Sequence, residues 1–112
     1  MKQRFRYAYY DLGEQPEGTA VVVRLRGSAA NVILIDPPNF SRYRWGHSFS
    51  YTGGLFRRSP VRLSIPHDGH WYVVLDLGGR PGRVRGAVRV LGPDTAGADS
   101  GSDQTLEEAT SV

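Results

Sequence analysis

The 112-residue chain has no cysteine. This excludes a disulfide framework and any thiolate metal site, and it leaves cysteine usage silent on redox compartment. Lysine is almost missing as well: Lys2 is the only one, so arginine carries the basic character. Long apolar runs are lacking. The stretches 20–23 and 32–35 fall far short of the roughly 20 residues that a membrane-spanning helix needs. The opening MKQRFRYAYYD has no apolar core of a secretory signal, so a cytoplasmic protein without membrane association is expected.

Glycine (14) and proline (7), by contrast, are plentiful, which predicts many turns and short elements. The length allows one domain. Charge is unevenly divided. All 14 basic residues lie between Lys2 and Arg89 with only six acidic ones among them, a balance of +8. Beyond Arg89 stand Asp94, Asp99, Asp103, Glu107 and Glu108 with no basic partner, a balance of −5. A basic body and an acidic tail suit an anionic partner for the body or a tail that screens it. They also suit arginines that simply face solvent on strands. The segment from Gly92 is small, polar and free of aromatics, so residues 92–112 read as an acidic disordered tail. Within it, DQTLEEA has the composition of a nascent helical turn, too short to persist alone. Residues 1–91 form the domain.

Inside the domain the hydrophobic period is two. FRYAYY, AVVVRLR, VILI, PVRLSIP, HWYVVLDL and RVRGAVRV alternate or run apolar between glycine and proline turns, and no window has a helical period. Six short strands of this kind predict an all-β fold: a small antiparallel β-sandwich, with a jelly-roll or barrel-like arrangement as the alternative. The loop GGRPG, with Arg80 at its tip, reads as a hairpin joining the last two strands. The connection from Asp36 to Ser59 is too long and too aromatic for a bare turn. It either hides a strand, with HSFSYT the alternating candidate, or forms a functional loop.

The residues closest to chemistry are His67 and His70. They are three apart, but the Pro66 and Gly69 around them make a turn rather than a helix face. A metal site would need a third ligand from His47, Asp36, Asp68 or Asp76, and no ligand spacing marks one. No nucleophile motif or paired carboxylate accompanies them, so no catalytic residue, metal or cofactor is assigned. Asp76 shares the Tyr72/Val74 face of its strand and is expected to bond turn amides, or to pair with Arg83 or Arg85 across the hairpin. In the long connection, arginines interleave with Tyr43, Trp45, Phe49, Tyr51 and Phe56. Such a mixture suits stacking on a sugar or base, or an interface anchored by Trp, Tyr and Arg.

The ordered strings YYDLG, AANVILID, NFSRYR, YTGGL, RSPVRLSIPHDGHWYVVLDLGG and GRVRGAVRVL, from Tyr9 to Leu91, resemble the motifs of a small bacterial family known as domain of unknown function family 1883. The resemblance implies a compact all-β domain, found alone and sometimes ahead of a TIR-type signalling domain. It brings no catalytic residues with it. No second domain stands in these 112 residues, which weakens a TIR-linked reading.

These residues together point to a non-enzymatic binding or interaction module. Its expected site comprises Tyr43, Arg44, Trp45 and His47 of the long connection with His67, His70 and Arg80. The expected ligand is an anionic small molecule, a sugar or a protein. Single-stranded nucleic-acid binding by a basic aromatic face, or a metal-dependent enzyme built on His and Asp, are the alternatives. The module reading requires the long connection to lie beside the His67 turn.

Overall fold

A computed structural model describes residues 7–92 and, as backbone only, residues 104–107. The period-two segments form strands β1 (Tyr7–Gln15), β2 (Ala20–Gly27), β3 (Ala30–Ile35), β4 (Thr52–Phe56), β5 (Val61–Ser64), β6 (Gly69–Asp76), β7 (Val84–Leu91) and β8 (Gln104–Glu107). One helix, α1 (Pro37–Arg44), stands between β3 and β4. The strands make two antiparallel sheets, in the orders β1-β6-β3-β4 and β5-β2-β7-β8. Each sheet has two edges, so the fold is the expected sandwich and not the closed barrel.

Alternation decides which side chains meet between the sheets. On β6, Trp71, Val73 and Leu75 point inward, joining Tyr10, Val21, Val23, Val32, Leu34, Val61, Ile65 and Val88 in one buried cluster. Each such aliphatic side chain contributes roughly 1.5–3 kcal/mol on leaving water. Tyr10 adds a directional tie: its buried hydroxyl, on one sheet, donates to the Gly86 carbonyl on the other. Gly86 makes room for that ring, because a Cβ there would meet the Leu75 side chain and stand 3.2 Å from the Tyr10 hydroxyl.

The opposite face of β6 carries Tyr72, Val74 and Asp76, and α1 covers part of it. Phe40 and Tyr43, three apart on α1, are buried against Ile33, Ile35 and Val74. This helix is the largest departure from the sequence-based expectation. Asp36-Pro37-Pro38 both ends β3 and starts the helix. Asp36 is the N-cap, its carboxylate accepting from the Asn39 backbone N–H at 3.2 Å, and the prolines fill the first turn, where no N–H is needed. The helix ends in a Schellman motif at Gly46 (φ 76°), whose N–H donates to the Tyr43 carbonyl while that of His47 donates to Arg42. The hidden strand of the long connection is Thr52–Phe56, which shares only Thr52 with the expected segment HSFSYT.

Two further expectations change. GGRPG is not a hairpin: β6 belongs to the first sheet and β7 to the second, so the loop crosses between layers. Leu77 and Val84, either side of the crossing, are buried together with Ala30 beneath it. The acidic segment supplies four residues, Gln104–Glu107, as an extended strand beside β7 where a helical turn was expected. Residues 93–103 and 108–112 lie outside the described residues.

Candidate functional site

The turn of α1 that faces away from β4 stands over the β1 side of the first sheet and leaves a groove. Tyr7, Pro37, Phe40, Ser41, Arg44, Trp45 and Tyr72 line it around a volume of about 500 Å³. The helical period puts Pro37, Phe40/Ser41 and Arg44/Trp45 on this one flank. The sheet supplies the floor: Tyr7 from β1 and Tyr72 from β6, both on the outward face set by strand alternation.

The rings form a continuous strip. Phe40 packs 4.6 Å from Tyr72 and 5.2 Å from Tyr9, with Tyr7 edge-on at 6.1 Å. The Arg44 guanidinium stands over the Phe40 ring, 5.3 Å from its centre, which holds the charge at the groove wall. Trp45, at the helix C-cap, keeps 51% of its surface exposed. Tyr9 is exposed as well, whereas Phe40 between them is buried.

His70 joins this strip at its far end. Its ring lies 5.0 Å from that of Tyr72, and its Nε2 is 2.6 Å from Asp11 Oδ1. A β-bulge between Asp11 and Gly13 aims that carboxylate, which also accepts from the Gly13 N–H at 2.9 Å. Glu14 stands farther off, 3.9 Å from His70 Nδ1.

The expected site residues therefore separate. Arg44 and Trp45 line the groove, and His70 reaches it through Tyr72. Tyr43 does not face it: it is buried, and its hydroxyl donates to Asp76 Oδ2 at 2.5 Å. His47 is exposed in the loop after α1. His67 belongs to the other side of β6, where its ring meets Trp71 at 5.0 Å and its carbonyl accepts from the Trp71 indole N–H at 3.0 Å. Arg80 follows the opposite end of β6, an eight-residue strand about 25 Å long, and so stands far from both histidines. The connection after β3 does reach the His70 end of β6, but through Phe40 and Tyr72 rather than through the turn at His67. Tyr7, Phe40 and Tyr72 are the residues that sequence reading left out. The signal for Phe40 was the Asp-Pro-Pro helix start; that for Tyr72 was its place on the Asp76 face.

Asp76 is 3% exposed and structural in its contacts. Oδ1 accepts from Asn31 Nδ2 at 2.7 Å and from the Gly78 N–H at 3.0 Å, while Oδ2 takes the Tyr43 hydroxyl. The turn amide was expected. The arginine pairing across a hairpin is corrected, because β7 lies in the other sheet and no Arg nitrogen among the described residues comes within 4.0 Å of this carboxylate. Among the described residues, no three His, Asp or Glu side chains converge to hold a metal ion.

A family model described as "Domain of unknown function (DUF1883)" matches residues 5–94. The chain belongs to that family. No curated protein and no solved structure matches it. The DUF1883 segment contains α1, every groove residue and both sheets apart from β8. The acidic residues from Asp99 onward fall outside it.

Among the described residues, no helix is long and apolar enough to cross a membrane.

Proposed function

We infer that this DUF1883 domain is a non-enzymatic binding module of a cytoplasmic protein, and that its groove takes an anionic, sugar-like ligand. The observation that carries this reading is a groove whose exposed Tyr9 and Trp45 rings flank the packed rings of Phe40 and Tyr72, with Arg44 beside them. Rings stack on the apolar faces of a sugar, while the Ser41 and tyrosine hydroxyls suit its hydroxyl groups. Arg44 offers a charge-assisted contact to a carboxylate or phosphate. A purely apolar partner would leave those polar groups unpaired.

Tryptophan fluorescence tests the reading, since Trp45 is half exposed and Trp71 is buried. Titration with a galacturonic acid oligomer should change the emission saturably, and a neutral glucose oligomer of equal length should bind about tenfold more weakly. Arg44→Gln should erase that difference, and Trp45→Ala should remove the signal without lowering the melting temperature. Equal response to both oligomers, or none to either, would contradict it.

A second reading rests on a different face. Arg24 and Arg26 of β2 lie outward beside Arg85 of β7, with Arg62 on the neighbouring β5, and two shallow depressions run between them. This places several body arginines on one face of the second sheet, away from the aromatic strip. Such a face suits the phosphate backbone of a nucleic acid without base stacking. Binding of a single-stranded oligonucleotide there should fall steeply with salt, losing at least about tenfold between 50 and 200 mM. Affinity insensitive to salt, or unchanged in the Arg24→Gln/Arg26→Gln variant, would remove this reading.

A further inference from the structure

On the opposite flank of α1 from the groove, a second cavity of about 200 Å³ opens between the helix C-terminus, the loop that follows it and β3 and β4. Tyr43, Phe49 and Tyr51 form its aromatic walls, with Asp76 and Asn31 among its lining groups. The Phe49 ring stands perpendicular to that of Tyr43 at 5.2 Å and packs 5.3 Å from Tyr51. We propose that this cavity is an aromatic cage for a methylated ammonium group, with Asp76 as its counter-charge.

Three observations carry the assignment. Asp76 is a nearly fully buried carboxylate, yet its hydrogen-bond partners are all neutral: an amide side chain, a backbone N–H and a phenol. No Lys, Arg or His nitrogen among the described residues comes within 4.0 Å of it. Arg80, close enough to Gly78 to touch a Cβ built there, still makes no ion pair with the carboxylate. A buried anion held only by neutral donors favours a cation in the space beside it. The walls of that space are rings, whose faces attract a desolvated cation. Three of the acceptor positions on the carboxylate are already occupied. A primary ammonium would need free acceptors for its three N–H groups, whereas a trimethylammonium needs none. The site therefore favours the methylated cation over a plain lysine or ammonium. It shares no lining residue with the groove, although α1 and β6 contribute side chains to both.

Choline and its uncharged isostere 3,3-dimethyl-1-butanol, titrated against the whole chain and followed by two-dimensional amide NMR, separate charge recognition from apolar filling. Choline should bind saturably, about tenfold or more tighter than the alcohol, with shifts centred on Phe49, Tyr51 and Asn31. Tyr51→Leu, at a half-exposed position, should weaken choline about fivefold or more and leave the melting temperature unchanged. Asp76→Asn, isosteric with the native side chain, should abolish the preference for choline over the alcohol. Nε-trimethyllysine in an N-acetyl methylamide, run in parallel, distinguishes a protein side chain from a free small molecule as the source, according to which binds tighter. Equal binding of choline and the alcohol, absence of saturable binding by either cation, or full binding by Tyr51→Leu would each overturn the proposal. Should Asp76→Asn fail to fold, the isostere comparison and Tyr51→Leu still decide it.

Discussion

Asp76→Ala is expected to destabilise the domain by about 3–4 kcal/mol, an effect at the upper end for a single substitution. The carboxylate ties together three elements: β3 through Asn31, the crossing loop through Gly78, and α1 through Tyr43. Alanine leaves three donors without their acceptor, and the Tyr43 hydroxyl is buried with only 2% of the residue exposed. Tyr43→Phe alone should cost less, about 1.5–3 kcal/mol, since it removes one hydrogen bond to a charged group. The two are in direct contact, so the double variant should fall short of additivity by about 1–2 kcal/mol in urea unfolding. Additive effects, or a loss below about 1 kcal/mol for Asp76→Ala, would mean that α1 does not depend on this carboxylate. Because α1 carries Arg44 and Trp45, the same substitution should also weaken any ligand in the groove.

The second large effect is expected at Gly53. Its φ of 123° lies where L side chains rarely go, and a Cβ there would run into the Val32 carbonyl oxygen of the paired strand. Backbone cannot swing aside as a side-chain tip can. Gly53→Ala should cost on the order of 3 kcal/mol, combining the strained conformation with the overlap. Gly54 is its internal control. No heavy atom lies within 4 Å of a Cβ built there, so Gly54→Ala should change stability by less than about 0.5 kcal/mol. Thermal melts of the two neighbours should thus diverge sharply, and equal losses would contradict the β3–β4 geometry.

Those two positions also show where the sequence was readable and where it was not. The sandwich was legible because β2, β6 and β7 each keep an apolar face of period two, with Val21/Val23, Val73/Leu75 and Val84/Val88 buried on it. β4 was not, because TGGLF holds two glycines and its conformation depends on Gly53, which carries no side chain to reveal a pattern. α1 was missed for want of length: eight residues bury only Phe40 and Tyr43, too few to display a 3.6-residue period. Its start signal lay in Asp36-Pro37 all the same. GGRPG misled for a topological reason. Five turn-forming residues can reverse a strand within one sheet or carry it to another, and the choice is made by burial of Leu77 and Val84 beneath the crossing. With β7 in the other sheet, Arg83 and Arg85 do not face Asp76 across a hairpin.

The site was legible in part. Arg44 and Trp45 were visible as a basic–aromatic pair in a long connection, but their partners Tyr7 and Tyr72 come from strands far away in sequence, on either side of it. Only the pairing of β1 with β6, and the seating of α1 across them, brings these together. The histidine pair that looked most like chemistry is divided by the alternation of β6: His70 follows the Tyr72 face and His67 the Trp71 side.

In the proposed function, the flank of α1 bearing Arg44 and Trp45 is the ligand face of this DUF1883 domain. Amide and indole NMR shift mapping during titration with the galacturonic acid oligomer tests it most directly. Saturable shifts are expected at Phe40, Arg44, Tyr72 and the Trp45 indole, with Arg24, Arg26 and Arg85 unmoved. Shifts confined to the arginine face of β2 and β7, or none at the Trp45 indole, would contradict it.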